Sequence, residues 1–246
     1  MNNFSERIKR SARQTSPLIL ANDYDDQKNL ESRTIQNIKT LSDYLCAIKF
    51  NFHVLLPLGE KQIKNITKTA HTHGLQVIAD IKLNDIGNTN LVAAQTLWNL
   101  GFDCIIANPM MGPENLQKLI DFSHKNKKGV ISLCHMSSPE AKVTYELGIK
   151  LGSKSTQLYK LFLDWATKMS ADGIIVGATF PDIIQYCKKQ SKGKLNVFSP
   201  GIGTQGGDIS STVSAGSDYL IVGRTILSSK NPRKTVQEMA DLACKN

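Results

Sequence analysis

The sequence predicts an α/β protein folded as a single (β/α)8 barrel over residues 1–246, with 1–16 as an N-terminal arm or helix. Three observations carry this expectation. Eight short, near-continuous apolar runs alternate with amphipathic stretches, the pattern of parallel strands buried on both faces. The turn Gly-x-Asp stands before an apolar quartet at 101–103 and again at 216–218, with a variant at 171–173, so one unit repeats. Polar and charged side chains gather where the apolar runs end, and in such barrels that rim holds the working residues. A doubly wound open sheet is the alternative. It calls for a Gly-rich turn after the first strand, where this chain has Asn22-Asp23-Tyr24.

The elements follow in order. Residues 3–14 form a short basic helix or arm. Strand one is 18–21, opened by Ser16-Pro17 and ended by Asn22-Asp23. Residues 26–41 carry Leu30, Ile35, Ile38 and Leu41 at helical spacing. Strand two covers 44–48 and ends at Lys49. A lysine-rich helix over 59–73 is closed by Gly74, a C-cap signal. Strand three begins at Leu75 and runs into Asp80 and Lys82. Strict alternation puts Ile78, Asp80 and Lys82 on one face. Helices at 88–100, 113–126, 155–170 and 181–190 then alternate with strands at 104–107, 129–133, 173–176 and 195–198. Strand eight is 219–222, and a final helix covers 231–244.

Composition narrows the class. The chain is 41% hydrophobic and 21% charged, enough for one sizeable core. No apolar run approaches the roughly 20 residues of a membrane span. The polar 1–16 stretch lacks the apolar core of a signal peptide, which points to the cytosol. Cys46, Cys104, Cys134, Cys187 and Cys244 are scattered and odd in number, as expected of free thiols in a reducing compartment. His71 and His73 lie two apart on a helix and face different ways, so no metal site is expected. The net charge of +9 is spread along the presumed helices with no basic tract among aromatics. A basic surface that draws in a phosphorylated small molecule fits this better than nucleic-acid binding.

The rim residues, in chain order, are Asp23, Lys49, Asp80 with Lys82, Asn108, the Met136-Ser137 region, Ala178-Thr179, the 199–207 loop, and Gly223-Arg224. Asp80, Lys82 and Asp85 crowd two carboxylates and an ammonium into six residues. Charges are rarely buried unless paired, so the stretch is either a solvated ion pair or a relay holding a lysine as proton donor. The loop Ser199-Pro200-Gly201-Ile202-Gly203-Thr204-Gln205-Gly206-Gly207 follows strand seven, and Gly223-Arg224 follows strand eight. These are the usual phosphate loops of a barrel. Their glycines let backbone N–H groups approach an anion, and Arg224 offers a planar fork for its oxygens. The Gly201-x-Gly203-x-x-Gly206 pattern sits too late in the chain to be a dinucleotide fingerprint.

The stretch Asp80-x-Lys82-x-x-Asp85-Ile86-x-x-Thr89 is similar to the orotidine 5′-phosphate decarboxylase family, in its compact archaeal type. So are Ile19-Leu20-Ala21-x-Asp23, the 199–207 loop and Ile221-Val222-Gly223-Arg224. The resemblance spans residues 17–240. It implies decarboxylation of orotidine 5′-phosphate to UMP and carbon dioxide, without cofactor or metal. Under it Lys82 protonates C6 of the pyrimidine, and Asp80 sits against the substrate carboxylate. Asp85 comes from the second subunit of a homodimer, with Ile86 and Thr89 beside it, and completes an Asp/Lys network with Lys49. Asp23 and Lys49 bind the ribose hydroxyls, and Ser137 reads the pyrimidine edge. Pro200, Gly203, Gln205, Gly223 and Arg224 surround the phosphate.

The chain departs from the family pattern at three places. Asn108 stands where some relatives have histidine, Gly87 where proline is common, and the loop 178–181 after strand six is short. Two other functions fit parts of the sequence. A magnesium-dependent sugar-phosphate decarboxylase or aldolase of the same barrel superfamily also uses Asp-x-Lys-x-x-Asp, but wants an acidic ligand where this chain has Lys49. A phosphate- or RNA-binding protein would use only the basic surface.

Overall fold

The structure, a computed structural model, describes residues 3–244. Eight parallel strands close into a barrel: β1 (Leu18–Ala21), β2 (Ala47–Asn51), β3 (Gln76–Leu83), β4 (Cys104–Ala107), β5 (Gly129–His135), β6 (Gly173–Val176), β7 (Asn196–Pro200) and β8 (Tyr219–Val222). Each strand pairs with its sequence neighbour, and β8 pairs back to β1 through Ile19↔Ile221. Helices run outside, among them Leu30–Leu41, Glu60–Thr72, Gly87–Asn99, Pro113–Lys125, Leu158–Lys168, Pro181–Ser191 and Pro232–Cys244.

Period-2 alternation divides the apolar residues into two layers. Leu18, Leu20, Ile48, Val77, Ala79, Ile105, Val130, Ile174, Val197 and Leu220 face outward and pack under the helices. Ile19, Ala21, Ala47, Ile78, Cys104, Ile106, Ile131, Leu133, Ile175, Phe198, Tyr219 and Ile221 fill the barrel. The near-continuous apolar strands are thus the sum of two alternating faces, each with its own partner.

Four differences from the expected elements stand out. Of the strand expected at 44–48, Tyr44 closes a 3-10 turn (Ser42–Tyr44), and β2 starts only at Ala47. It runs on to Asn51, so Lys49 lies within the strand rather than after it. The helix expected from 155 begins at Leu158, because an exposed antiparallel hairpin of Gly148–Leu151 with Lys154–Gln157 precedes it. Its two-residue loop Gly152-Ser153 is a recognised hairpin signal. The first outer helix starts at Leu30 rather than 26. The fourth difference is that β3 does not stay straight, as described below.

The Gly-x-Asp repeat has a physical cause at the N-terminal ends of the strands. Asp103, Asp172 and Asp218 each donate a backbone N–H to a carbonyl of the preceding barrel strand, at Val77, Val130 and Val197. Each accepts the N–H of the same valine on its carboxylate, at 3.0, 2.9 and 2.8 Å. Each also meets a cation or imidazole from an outer helix: His71, His124 and Lys188. One motif therefore ties strand, strand and helix together three times.

The same end is plugged by the helix Phe4–Gln14. Its Phe4 and Ile8, one turn apart, are fully buried with the barrel-filling side chains. Asn3 caps it by accepting the Glu6 N–H. Ser5 donates to Asp172, and Arg7 reaches Gln76 and Asp103. The basic arm of the sequence is thus a stopper with an apolar face.

Candidate active site

A cavity of about 430 Å³ opens at the C-terminal ends of the strands. Ala21, Ile106, Leu133, Ile175 and Ile221, the top of the barrel filling, line it beside the charged residues. Within it stand Asp23, Lys49, Asp80, Lys82, Ser137, Pro200, Gln205, Gly223 and Arg224.

Register places the charged cluster. Lys49 on β2 lies opposite Ala21 on β1, two residues before Asp23. Asn51, two residues further up β2, lies opposite Asp80 on β3. Lys49 consequently sits between two carboxylates. Its Nζ donates to Asp80 Oδ2 at 2.9 Å, stands 3.6 Å from Asp23 Oδ2, and makes a further short hydrogen bond to Asn51 Oδ1. Only 3% of Lys49 is exposed.

Lys82 reaches the other oxygen of Asp80 by a bulge. The pairing of β3 with β4 shifts register between Ala79 and Leu83, and Lys82 adopts a left-handed backbone with φ 46°. A lysine there is strained, and such strain persists only where the surroundings impose it. The bulge aims Lys82 Nζ at Asp80 Oδ1, 2.8 Å away. Asp80, 9% exposed, therefore spans two ammonium groups. Burial alone would raise the Asp80 pKa, but Lys49 and then Lys82 outweigh it and hold the carboxyl below its usual range. The group is a carboxylate at neutral pH.

The far side of the cavity belongs to β5–β8. The β6 end comes so close to the Met136-Ser137 backbone that a Cβ at Gly177 would lie 2.5 Å from the Ser137 Cα. Thr179 Oγ1 donates to the Ser137 carbonyl at 3.0 Å, fixing that residue. Arg224 opens a four-residue helix, is exposed, and makes no ion pair among the described residues. Gly203 does not line the cavity. Its φ of 73° closes the loop through the bond from its N–H to the Gly207 carbonyl, and a Cβ there would strike Thr225.

Residues 16–239 match the model of the "Orotidine 5′-phosphate decarboxylase / HUMPS family". The chain belongs to this family. It is 32% identical to an orotidine 5′-phosphate decarboxylase of Thermococcus kodakarensis, over 91% of this chain and 95% of that one. Among solved structures it resembles the orotidine 5′-monophosphate decarboxylase of Methanocaldococcus jannaschii complexed with the inhibitor BMP. That match has a TM-score of 0.79 and 28% identity, over 92% of this chain and 97% of the other. The Pyrococcus horikoshii orotidine 5′-phosphate decarboxylase matches with a TM-score of 0.75 and 30% identity, over 92% and 99%.

The Asp80-x-Lys82-x-x-Asp85 stretch divides in space. Asp80 and Lys82 enter the cavity, whereas Asp85, Ile86 and Thr89 are exposed and do not line it in their own chain. Asn108 is also outside the lining and instead caps the 3-10 turn Pro109–Met111 by accepting the Met110 N–H. Sequence reasoning missed Asn51, Asp25 and His53, which do line the cavity. For Asn51 the signal was present: it is two residues from Lys49 and so shares its face. No helix is long and apolar enough to cross a membrane, and no group of three His, Cys, Asp or Glu residues could hold a metal among the described residues.

Proposed function

We propose that this protein decarboxylates orotidine 5′-phosphate to UMP and carbon dioxide, the last step of UMP synthesis, without a cofactor. The observation that carries this reading is the buried Asp80 carboxylate held between Lys49 and Lys82 in the cavity wall. Membership of the family and the decarboxylases among its relatives support it.

The chemistry matches the residues. Heterolysis of the bond between C6 and the carboxylate leaves an electron pair on C6, releases carbon dioxide, and requires a proton at C6. Lys82 supplies that proton and is recharged from solvent. A cation already oriented at the developing carbanion lowers the barrier without reorganisation. Asp80 fixes the lysine and, facing the substrate carboxylate, disfavours the bound ground state by like-charge repulsion. Asp23 and Lys49 take the ribose hydroxyls. Asp23 Oδ1 is buried with no hydrogen-bond partner among the described residues, the mark of an acceptor intended for a ligand. Ser137 reads the pyrimidine edge, and Pro200, Gln205, Gly223 and Arg224 surround the phosphate, with Gly203 shaping their loop.

Asp85, Ile86 and Thr89 serve the site of a second copy in a homodimer. Ile86 is 73% exposed, and Val92 and Met110 are 57% and 61% exposed, an apolar surface that association would cover. The +9 charge attracts a phosphorylated nucleotide rather than nucleic acid, and the protein works in the cytosol. Within β2 the chain presents a cation, Lys49, where a magnesium-dependent relative would need a carboxylate. The test is the fall in pyrimidine absorbance when orotidine 5′-phosphate is added to purified, chelator-treated protein. Turnover that withstands chelation is expected. Turnover lost on chelation, or none with this substrate, would overturn the reading.

A further inference from the structure

The exposed loop Asn84–Gly87 is tied down more closely than its position suggests. Asn90, on the first turns of the helix Gly87–Asn99, is 1% exposed. Its side-chain amide pairs with the backbone of Asp85 at both ends. The Asp85 N–H donates to Asn90 Oδ1 at 3.1 Å, and Asn90 Nδ2 donates to the Asp85 carbonyl at 2.6 Å. One amide thereby stands in for a partner strand and fixes the Asp85 peptide units on either side. The neighbouring groups are also satisfied. The Ile86 N–H goes to Asp85 Oδ1 at 2.7 Å, and the Asn90 N–H to the Ile86 carbonyl at 3.2 Å. The Gly87 N–H, one of the orphan donors of a helix start, goes to Asn115 Oδ1 at 3.1 Å, and Asn115 is itself anchored to the Met111 carbonyl at 2.8 Å.

The Asp85 carboxylate, by contrast, has no ion-pair partner among the described residues. A buried amide is thus spent on holding the backbone of an exposed carboxylate. At an exposed loop water could satisfy the Asp85 N–H and carbonyl; the buried amide together with the Ile86 N–H on Oδ1 instead fixes where the carboxylate stands. We infer that Asn90 is a positioning residue for Asp85: it sets the loop before association, so that the carboxylate enters the second copy's site at a fixed place. Asn115 supports it from the adjacent helix Pro113–Lys125, securing Gly87 by a hydrogen bond at a helix-start position where proline would secure it by its ring.

The inference rests on the proposed reading in which Asp85 works across a dimer. It predicts that Asn90→Ala lowers kcat by on the order of 10²-fold, as a misplacement of about 1 Å can. KM should change much less. The decisive measurement is subunit mixing. Lys82→Ala subunits lack the proton donor but carry a native Asp85 loop, and Asn90→Ala subunits carry the reverse. Random pairing places one complete site in half of the dimers, so about one quarter of wild-type activity should return.

A merely structural role for Asn90 would damage its own barrel, and no activity would return. The Asp85→Asn subunit mixed with Lys82→Ala is the control. If the control recovers and the Asn90 pair does not, this inference fails alone. If the control does not recover, the cross-dimer reading fails. Should Asn90→Ala not fold, the same mixing is run with Asn90→Asp, which keeps the shape but loses the donor to the Asp85 carbonyl.

Discussion

The two ends of the barrel use the same ingredients for different work. At the N-terminal end Asp103, Asp172 and Asp218 each receive a strand N–H and a basic side chain from an outer helix. At the C-terminal end Asp80 receives two lysines and, among the described residues, no backbone N–H. A carboxylate bonded to backbone is committed to the fold. A carboxylate bonded only to side chains that line a cavity can redistribute those bonds when a ligand arrives. The bases of the two ends differ likewise. The bottom is stoppered by Phe4 and Ile8, whereas the top is left open above Leu133, Ile175 and Ile221.

The largest effect should come from the open end. Lys82→Ala is expected to lower kcat by about 10⁴-fold or more, since under the proposed reading it removes both the proton and the fixed cation. Asp80 keeps Lys49, and the strained backbone at residue 82 is relieved of nothing it needs for folding. Unfolding by urea should therefore change little. A Lys82→Ala enzyme with wild-type turnover would show that the cluster is only an ion pair.

The converse change is Phe4→Ala at the stoppered end. Loss of a fully buried ring should cost about 3–5 kcal/mol of stability, read from the urea midpoint, with kcat per folded molecule unchanged. A fall in kcat without a fall in stability would mean that the two ends are not separable. Arg224→Ala comes third. Under the proposed reading it removes a phosphate fork on an exposed residue, so KM should rise by the equivalent of about 1.5–3 kcal/mol of charged hydrogen bonding. An unchanged KM would place the phosphate elsewhere.

The sequence revealed these two ends unequally. Eight strands were legible because apolar quartets separated by helical periodicity are a strong signal. The rim polar residues were legible because Asp23, Asp80 and Arg224 stand just at or past the apolar runs. What escaped depended on contacts between distant segments. Tyr44-Leu45-Cys46 reads as strand because Leu45 and Cys46 are buried, yet burial does not distinguish a strand from the turn leading into it. The β3 bulge cannot be seen in a run that alternates as well as Ile78-x-Asp80-x-Lys82. The stopper was hidden among charges, with Phe4 and Ile8 the only apolar pair on a helix of arginines and lysines. The Gly-x-Asp turn was visible as a repeat, but its purpose appears only when the valine N–H of a neighbouring strand is in place.

The smallest effect concerns pH, and it separates the two ends by sign. Burial alone would raise Asp103, but His71, Lys128 and the Val77 N–H bring it below its ordinary value. Asp80 is likewise depressed, against its burial, by Lys49 and Lys82. Carboxyls that are more acidic in the folded state stabilise it above their unfolded pKa and lose that contribution as pH falls through the folded value. Both ends therefore share the acid limb of the stability profile. His124 is raised above its ordinary 6.5, chiefly by its hydrogen bond to Asp172 and against partial burial. A base strengthened by folding contributes fully below its unfolded pKa, and the contribution disappears as pH rises through the folded value. The decline as pH rises through the folded His124 value thus belongs to the N-terminal end. Because His124 is partly exposed, solvent screening keeps the effect small. Urea midpoints measured between pH 5 and 9 should show His124→Gln flattening that decline while leaving the acid limb and kcat as they were. An alkaline decline that survives His124→Gln undiminished would mean that the clamp at Asp172 draws its strength from the Val130 N–H and the Ser5 hydroxyl without the imidazole.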